Sequence, residues 1–215
     1  MFVPTLPEAR FLVLSDADLP AALTVALAAE RWGGTGPAPV IVPAWWRSDA
    51  DSAMPLVHSA VARQASLLAI PEPRTELVVE STADDASQLS GLLLAAVRLA
   101  AREGCDAVLF PVRAMDWSDA VDATTVAREI DRAELVGRLA SLDAPSGVSV
   151  ITPVVDLDDE QTLDLARDLG VPAECCWWSG GGADPAAREA ASRWRGLGSL
   201  AVASGGADRS MIRSA

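Results

Sequence analysis

The 215-residue chain contains no lysine and no tyrosine, and all 17 of its basic residues are arginine. Without lysine, it lacks the usual Schiff-base nucleophile and the mobile ammonium group that commonly contacts ATP phosphates. Its 30 acidic residues give a formal net charge of −13, and an acidic surface of this kind repels polyanions. These properties argue against nucleic-acid binding as the main role.

Cysteine and long apolar runs are also scarce. The chain has three cysteines, of which Cys175 and Cys176 are adjacent, and this number is too small for a disulfide framework. No apolar run reaches the roughly 18 residues of a membrane span, and no basic and apolar leader is apparent. We therefore expect a cytoplasmic protein that has no membrane partner.

Segments typical of strands and helices alternate along the sequence. Strand patterns occupy residues 11–15, 40–46, 76–80, 106–112 and 148–155. Helical patterns occupy residues 20–32, 51–69, 84–102, 119–142, 158–169 and 185–195. This alternation predicts a three-layer α/β/α fold with a parallel sheet of about five strands. We expect one domain over residues 1–197 and a loose tail over residues 198–215.

The turn after the first predicted strand carries carboxylates where a nucleotide-binding fold commonly has glycines. Residues 10–20 read Arg-Phe-Leu-Val-Leu-Ser-Asp-Ala-Asp-Leu-Pro. Glycine lets backbone N–H groups approach a phosphate, whereas Asp16 and Asp18 bring side chains and negative charge to the same place. Two interpretations stay open: a degenerate nucleotide site, which only a metal bridging the carboxylates and phosphate would rescue, or an acidic turn that caps the helix.

Two further segments carry a family resemblance together with this turn. Residues 104–118 read Gly-Cys-Asp-Ala-Val-Leu-Phe-Pro-Val-Arg-Ala-Met-Asp-Trp-Ser, and residues 151–157 read Ile-Thr-Pro-Val-Val-Asp-Leu. Over about residues 10–197, the chain resembles the 7-cyano-7-deazaguanine synthases. These ATP pyrophosphatase-type (PP-loop) enzymes convert the carboxylate of 7-carboxy-7-deazaguanine to a nitrile and hold a structural zinc. The resemblance implies the Rossmann-like fold of the adenine-nucleotide α-hydrolase (HUP) type.

The matched positions have lost the residues that the family's chemistry needs. Of the family's loop Ser-Gly-Gly-x-Asp-Ser, only Ser15 is kept; the other motif positions fall on Asp16, Ala17, Leu19 and Pro20. A family lysine falls on Asp159. The four zinc cysteines fall on Ser179, Ala186, Glu189 and Ser192. Because none of these four is cysteine or histidine, we expect that zinc binding is lost.

The segment after residue 112 keeps the residue types of a purine pocket, namely Arg113, Asp116, Trp117 and Asp122. Trp117 is suited to stack on a base, and a carboxylate is suited to accept from the N–H edge of that base. The alternative is a surface loop in which the tryptophan covers the core and the aspartates cap the next helix. Both interpretations stay open.

The remaining candidates are single residues and pairs. Cys175 and Cys176 are typical of small buried apolar side chains, and the lone His58 is typical of a helix histidine although it matches a family histidine. The tryptophan pairs at 45–46 and 177–178 either cover the core or form a patch for a partner.

The sequence therefore predicts a degenerate, non-catalytic relative of the synthases, with Ser15, Asp16 and Asp18 marking the former ATP loop. Its role is then to bind a purine-like ligand or a protein partner, for example a second copy of itself. Two alternatives remain: an active ATP- and magnesium-dependent synthase in which other residues replace the loop, and a structural subunit of an active paralogue. No catalytic residue, resident cofactor or nucleic-acid partner is expected.

Overall fold

The computed structural model describes residues 4–45, 50–71, 73, 85–113, 128, 131–132, 135, 147–179 and 184–195. The strands of this part of the chain are β1 (Phe11–Ser15), β2 (Val40–Pro43), β3 (Ala107–Leu109) and β4 (Ser149–Ile151). Its helices are α1 (Leu19–Trp32), α2 (Ala50–Leu67), α3 (Asp85–Glu103), α4 (Asp159–Asp168) and α5 (Pro185–Arg195). Two short 3-10 turns, Ala173–Cys175 and Trp177–Ser179, lie between α4 and α5.

The four strands form one parallel sheet in the order β2-β1-β3-β4. Side chains alternate between its faces: Val13 packs in the cluster that contains α1, α2 and α4, whereas Leu12 and Leu14 pack with α3. Both faces are covered by helices, as a parallel sheet requires. The predicted three-layer α/β fold is therefore confirmed.

Three strands are shorter than the sequence pattern predicted, and proline accounts for two of them. The predicted continuations of β3 and β4 contain Pro111 and Pro153, whereas β2 ends at Pro43 although the N–H of Ala44 still donates to the carbonyl of Ser15 at 2.9 Å. Proline has no N–H to donate to a neighbouring strand, so it ends regular pairing. The predicted bounds of β1 agree with the structure at both ends.

Some predicted elements lie outside the described residues. These are the strand at 76–80, the first residue of the helix predicted at 84–102, and the tail at 198–215. Of the predicted helix at 119–142, the structure describes residues 128, 131–132 and 135 alone, and these are helical. Among the described residues, no helix is both long and apolar enough to cross a membrane.

Helix α1 places the candidate site in the interior. Its first ten residues, 19–28, are all buried, so this part of the helix is surrounded by protein rather than presenting one face to solvent. The Asp18 carboxylate caps it by accepting from the backbone N–H of Leu19 at 2.8 Å. Because α1 follows β1 after a short turn, the turn at residues 16–18 is buried at the carboxyl end of the sheet, where α/β proteins bind ligands.

Candidate functional site

The turn between β1 and α1 binds its own backbone N–H groups. The side-chain oxygens of Ser15, Asp16 and Asp18 accept from the amides of Ala17, Asp18 and Leu19 at 3.1, 3.0 and 2.8 Å, respectively. The next residue, Pro20, has no N–H. Three consecutive amides that this turn could offer to a phosphate, those of Ala17, Asp18 and Leu19, are therefore already bonded to side chains of the same turn.

Ala17 has a left-handed backbone conformation, which glycine adopts more readily than alanine. Its φ is +58°, in the left-handed region that L-residues other than glycine, asparagine and aspartate rarely adopt. This conformation costs about 1 kcal/mol. The carbonyl of Ala17 accepts from the backbone N–H of Trp177 at 2.9 Å, so the turn is fixed by the C-terminal part of the chain.

Asp18 bonds to two tryptophans that are far away in sequence. Its Oδ1 atom accepts from the indole Nε1 of Trp178 at 2.8 Å and from that of Trp194 at 2.9 Å, in addition to the Leu19 amide. Asp18 is 3% exposed, Trp178 6% and Trp194 0%. This carboxylate is the centre of the candidate site, and its three donors compensate for its burial.

Helix α2 contributes a second connection between the turn and the C-terminal segment. Buried Gln64 accepts from Ser15 Oγ at 3.0 Å through Oε1 and donates through Nε2 to the carbonyl of Cys175 at 3.2 Å. Trp177 packs edge-to-face against Trp45, with ring centroids 5.4 Å apart. Among the residues that the structure describes, the Trp177 indole N–H has no acceptor.

Arg113, one of the predicted purine-pocket residues, lies in the interior. Its fully buried guanidinium contacts Asp159 Oδ1 at 2.8 Å and Thr162 Oγ1 at 3.0 Å, and it lies 5.0 Å from the ring centroid of Trp194. Arg193 binds both oxygens of Asp159, at 2.7 and 2.9 Å. The other predicted pocket residues lie outside the described residues; they are Asp116, Trp117 and Asp122.

Three ionisable groups have shifted pKa values, namely Asp159 and the thiols of Cys105 and Cys176. Burial raises the pKa of Asp159, but hydrogen bonds from Arg193 and Arg113 and their positive charges outweigh it, so the pKa lies below its usual value. Burial raises the pKa of Cys105 to about 11 and that of Cys176 well above its usual value. At neutral pH these two thiols are protonated, which does not favour nucleophilic or metal chemistry.

The positions that the resemblance assigns to zinc lie on the second 3-10 turn and on α5. The hydroxyl of Ser179 lies 2.8 Å from the carbonyl oxygen of Cys176, and Glu189 and Ser192 are exposed. Within the described residues, no group of three or more histidine, cysteine, aspartate or glutamate side chains is placed to hold a metal ion. The predicted loss of zinc stays a prediction.

No family model matches the sequence, and no curated protein matches it. Among solved structures, the chain is similar to the U34-tRNA thiolase NcsA from Methanococcus maripaludis, which was solved with its 4Fe–4S cluster. The TM-score is 0.51 and the identity 14%, over 89% of this chain and 72% of the thiolase. At this identity the similarity shows the fold alone, which is a Rossmann-like α/β fold.

The cluster of the thiolase has no equivalent set of residues in this chain. Iron–sulfur clusters are held by several cysteine thiolates. Here Cys105 packs on one face of the sheet, whereas Cys175 and Cys176 pack on the other. The three cysteines of the chain therefore do not meet at one site.

The Asp159 network generates a stability prediction. We expect Asp159→Ala to lower the free energy of unfolding by about 3 kcal/mol at pH 7, because it removes a carboxylate that binds the buried Arg113 guanidinium. Since the pKa of Asp159 is lowered in the folded state, this contribution is present above about pH 4, and it is lost as the pH falls through the folded-state pKa. Urea unfolding at pH 7 and pH 3 measures both effects.

Asp164→Ala is the matched control on the same helix. It breaks an exposed ion pair with Arg167, whose N–O distance is 2.7 Å, and should change stability by less than about 1 kcal/mol. Equal losses for the two variants, or a loss at Asp159 that does not shrink at low pH, would contradict this interpretation.

Proposed function

We propose that the chain is a non-catalytic protein on a nucleotide-binding fold, a degenerate relative of the 7-cyano-7-deazaguanine synthases. Its role is to bind a purine-like ligand or a protein partner rather than to consume ATP. The observation that carries the proposal is the self-bonded turn, in which side-chain oxygens of Ser15, Asp16 and Asp18 accept from the three consecutive backbone amides of residues 17–19.

Charge supports the proposal independently of hydrogen bonding. Asp16 and Asp18 are 2% and 3% exposed, so a phosphate at this turn would lie near buried carboxylates. Two like unit charges 4 Å apart repel by about 4 kcal/mol at the effective dielectric constant typical near a protein surface. A divalent cation is the only group that would reverse the sign, and Oδ1 of Asp18 already accepts three hydrogen bonds.

The position of the family lysine adds a second difference. Asp159 stands there, and its carboxylate is bound by Arg113 and Arg193. A cation that would neutralise developing phosphate charge is thus replaced by an anion inside a salt-bridge network. Neither the turn nor this position retains the chemistry that the resemblance implies for ATP activation.

A purine-like ligand is the finer part of the proposal. The segment that follows β3 is anchored at Arg113, because its buried side chain contacts Asp159, Thr162 and Trp194. In this proposal Arg113 is a positioning residue for the loop that follows it. Trp117 supplies the stacking surface, and Asp116 or Asp122 accepts from the base.

Enzymatic turnover tests the first part of the proposal. We expect the purified chain, given Mg-ATP, ammonium and 7-carboxy-7-deazaguanine, to form neither nitrile nor pyrophosphate above a no-protein control, because the phosphate-binding amides are occupied. Mass spectrometry of the deazapurine and a pyrophosphate assay measure the two products. Turnover above the control would instead support the alternative of an active synthase.

Ligand titration tests the second part. If a deazapurine stacks on Trp117, it should quench tryptophan emission, and Trp117→Ala should weaken binding about ten- to a hundredfold, as expected for the loss of one base–aromatic stack. Trp32→Ala is the control, because Trp32 lies at the C-terminal end of α1 and bonds to the carbonyl of Gly36. A titration that changes neither emission nor thermal stability would rule out the purine-like ligand, and the protein-partner role would then be the remaining one of the two.

A further inference from the structure

The C-terminal part of the described chain lies directly on the turn that a nucleotide would need. We define the cover segment as residues 173–179 and 184–195, which comprise the two 3-10 turns and α5. It contacts the turn through the indoles of Trp178 and Trp194 and the backbone N–H of Trp177. All three groups donate hydrogen bonds, and the two acceptor atoms are the carbonyl oxygen of Ala17 and Oδ1 of Asp18.

This direction of hydrogen bonding is the reverse of a phosphate site. A phosphate offers acceptors and needs donors from the protein. Here the turn offers a carboxylate and a carbonyl, and its partner offers N–H donors. A nucleotide phosphate therefore cannot take the place of the two indoles, because it has no donor to give to Asp18.

Contacts outside the turn hold the same segment in place. The carbonyl of Cys175 accepts from Gln64 of α2, and Arg193 binds both oxygens of Asp159 at the start of α4. The guanidinium groups of Arg113 and Arg193 lie 5.0 and 4.9 Å from the ring centroid of Trp194. The cover segment is thus attached to the turn, to α2 and to α4.

We infer that the cover segment is an autoinhibitory contact built into the fold, with the Asp18 carboxylate as its receptor. The former phosphate turn now binds indole N–H donors of its own chain, and this internal occupant closes it to nucleotides. Opening requires the two indoles to leave Asp18, and it exposes a carboxylate-lined turn suited to a ligand with N–H or cationic groups. This inference rests on the proposed non-catalytic function, because both require that the turn is closed to ATP.

Hydrogen–deuterium exchange on the full chain tests the contact. The test variant is Trp178→Phe with Trp194→Phe, which removes both donors and keeps most of the aromatic volume. Losing a hydrogen bond to a charged group shifts an opening equilibrium by about tenfold or more. We expect exchange to rise by about that factor in peptides from residues 15–20 and from the cover segment, and to stay unchanged in α3. The single variant Trp178→Phe serves if the double variant does not fold.

Trp32→Phe is the matched control, because it removes an indole N–H that bonds to Gly36 at 3.2 Å, away from the turn. It should leave exchange in both peptides at the wild-type rate. Wild-type exchange in the double variant would overturn the inference, and so would an equal rise in every peptide, which indicates general destabilisation.

The assay of ATP turnover distinguishes a failure of this inference from a failure of the proposed function. Turnover by the wild-type chain would end the non-catalytic proposal, and the exchange of the Phe variants would still decide whether the cover segment is held by Asp18. Conversely, absence of turnover with unchanged exchange would end the autoinhibitory inference alone.

Discussion

The Asp18 carboxylate is the interaction on which the rest of the site depends. It joins the start of α1 to tryptophans 160 and 176 residues further along the chain. A carboxylate in the interior is costly unless donors surround it, and here a backbone amide and two indoles do so. The donors and the acceptor thus depend on one another: without the indoles Asp18 loses two of its donors in the interior, and without Asp18 two buried N–H groups lose their acceptor.

At this turn the Rossmann-like fold is present, but the backbone amides are bonded to side chains of the turn and are not available to a phosphate. The parallel sheet and the buried helix α1 that follows β1 form a Rossmann-like arrangement, in which the turn at the carboxyl end of the first strand commonly binds a ligand. The polar groups of the site, however, bind one another. Side chains of the turn bind its amides, and Asp159 binds two arginines. A scaffold can therefore keep its backbone while local side chains change what the site accepts.

The sequence predicted local features well because local rules determine them. The turn after β1 and the cap at Asp18 follow from residue types a few positions apart. Strand lengths were overestimated where prolines interrupt pairing. The partners of Asp18 and Arg113 were not predictable, because hydrogen bonds between residues far apart in sequence leave no periodic signal. The one available hint was seven tryptophans in a chain without tyrosine, since buried indoles need acceptors.

The central claim is that Asp18 binds the indoles of Trp178 and Trp194, and the indole region of a proton–nitrogen NMR spectrum tests it most directly. The two signals, assigned with single Trp→Phe variants, should exchange slowly with solvent in the wild-type chain. They should also move on Asp18→Asn, whereas Asp164→Asn should leave them in place. Rapid exchange of both signals, or positions unchanged by Asp18→Asn, would contradict the account.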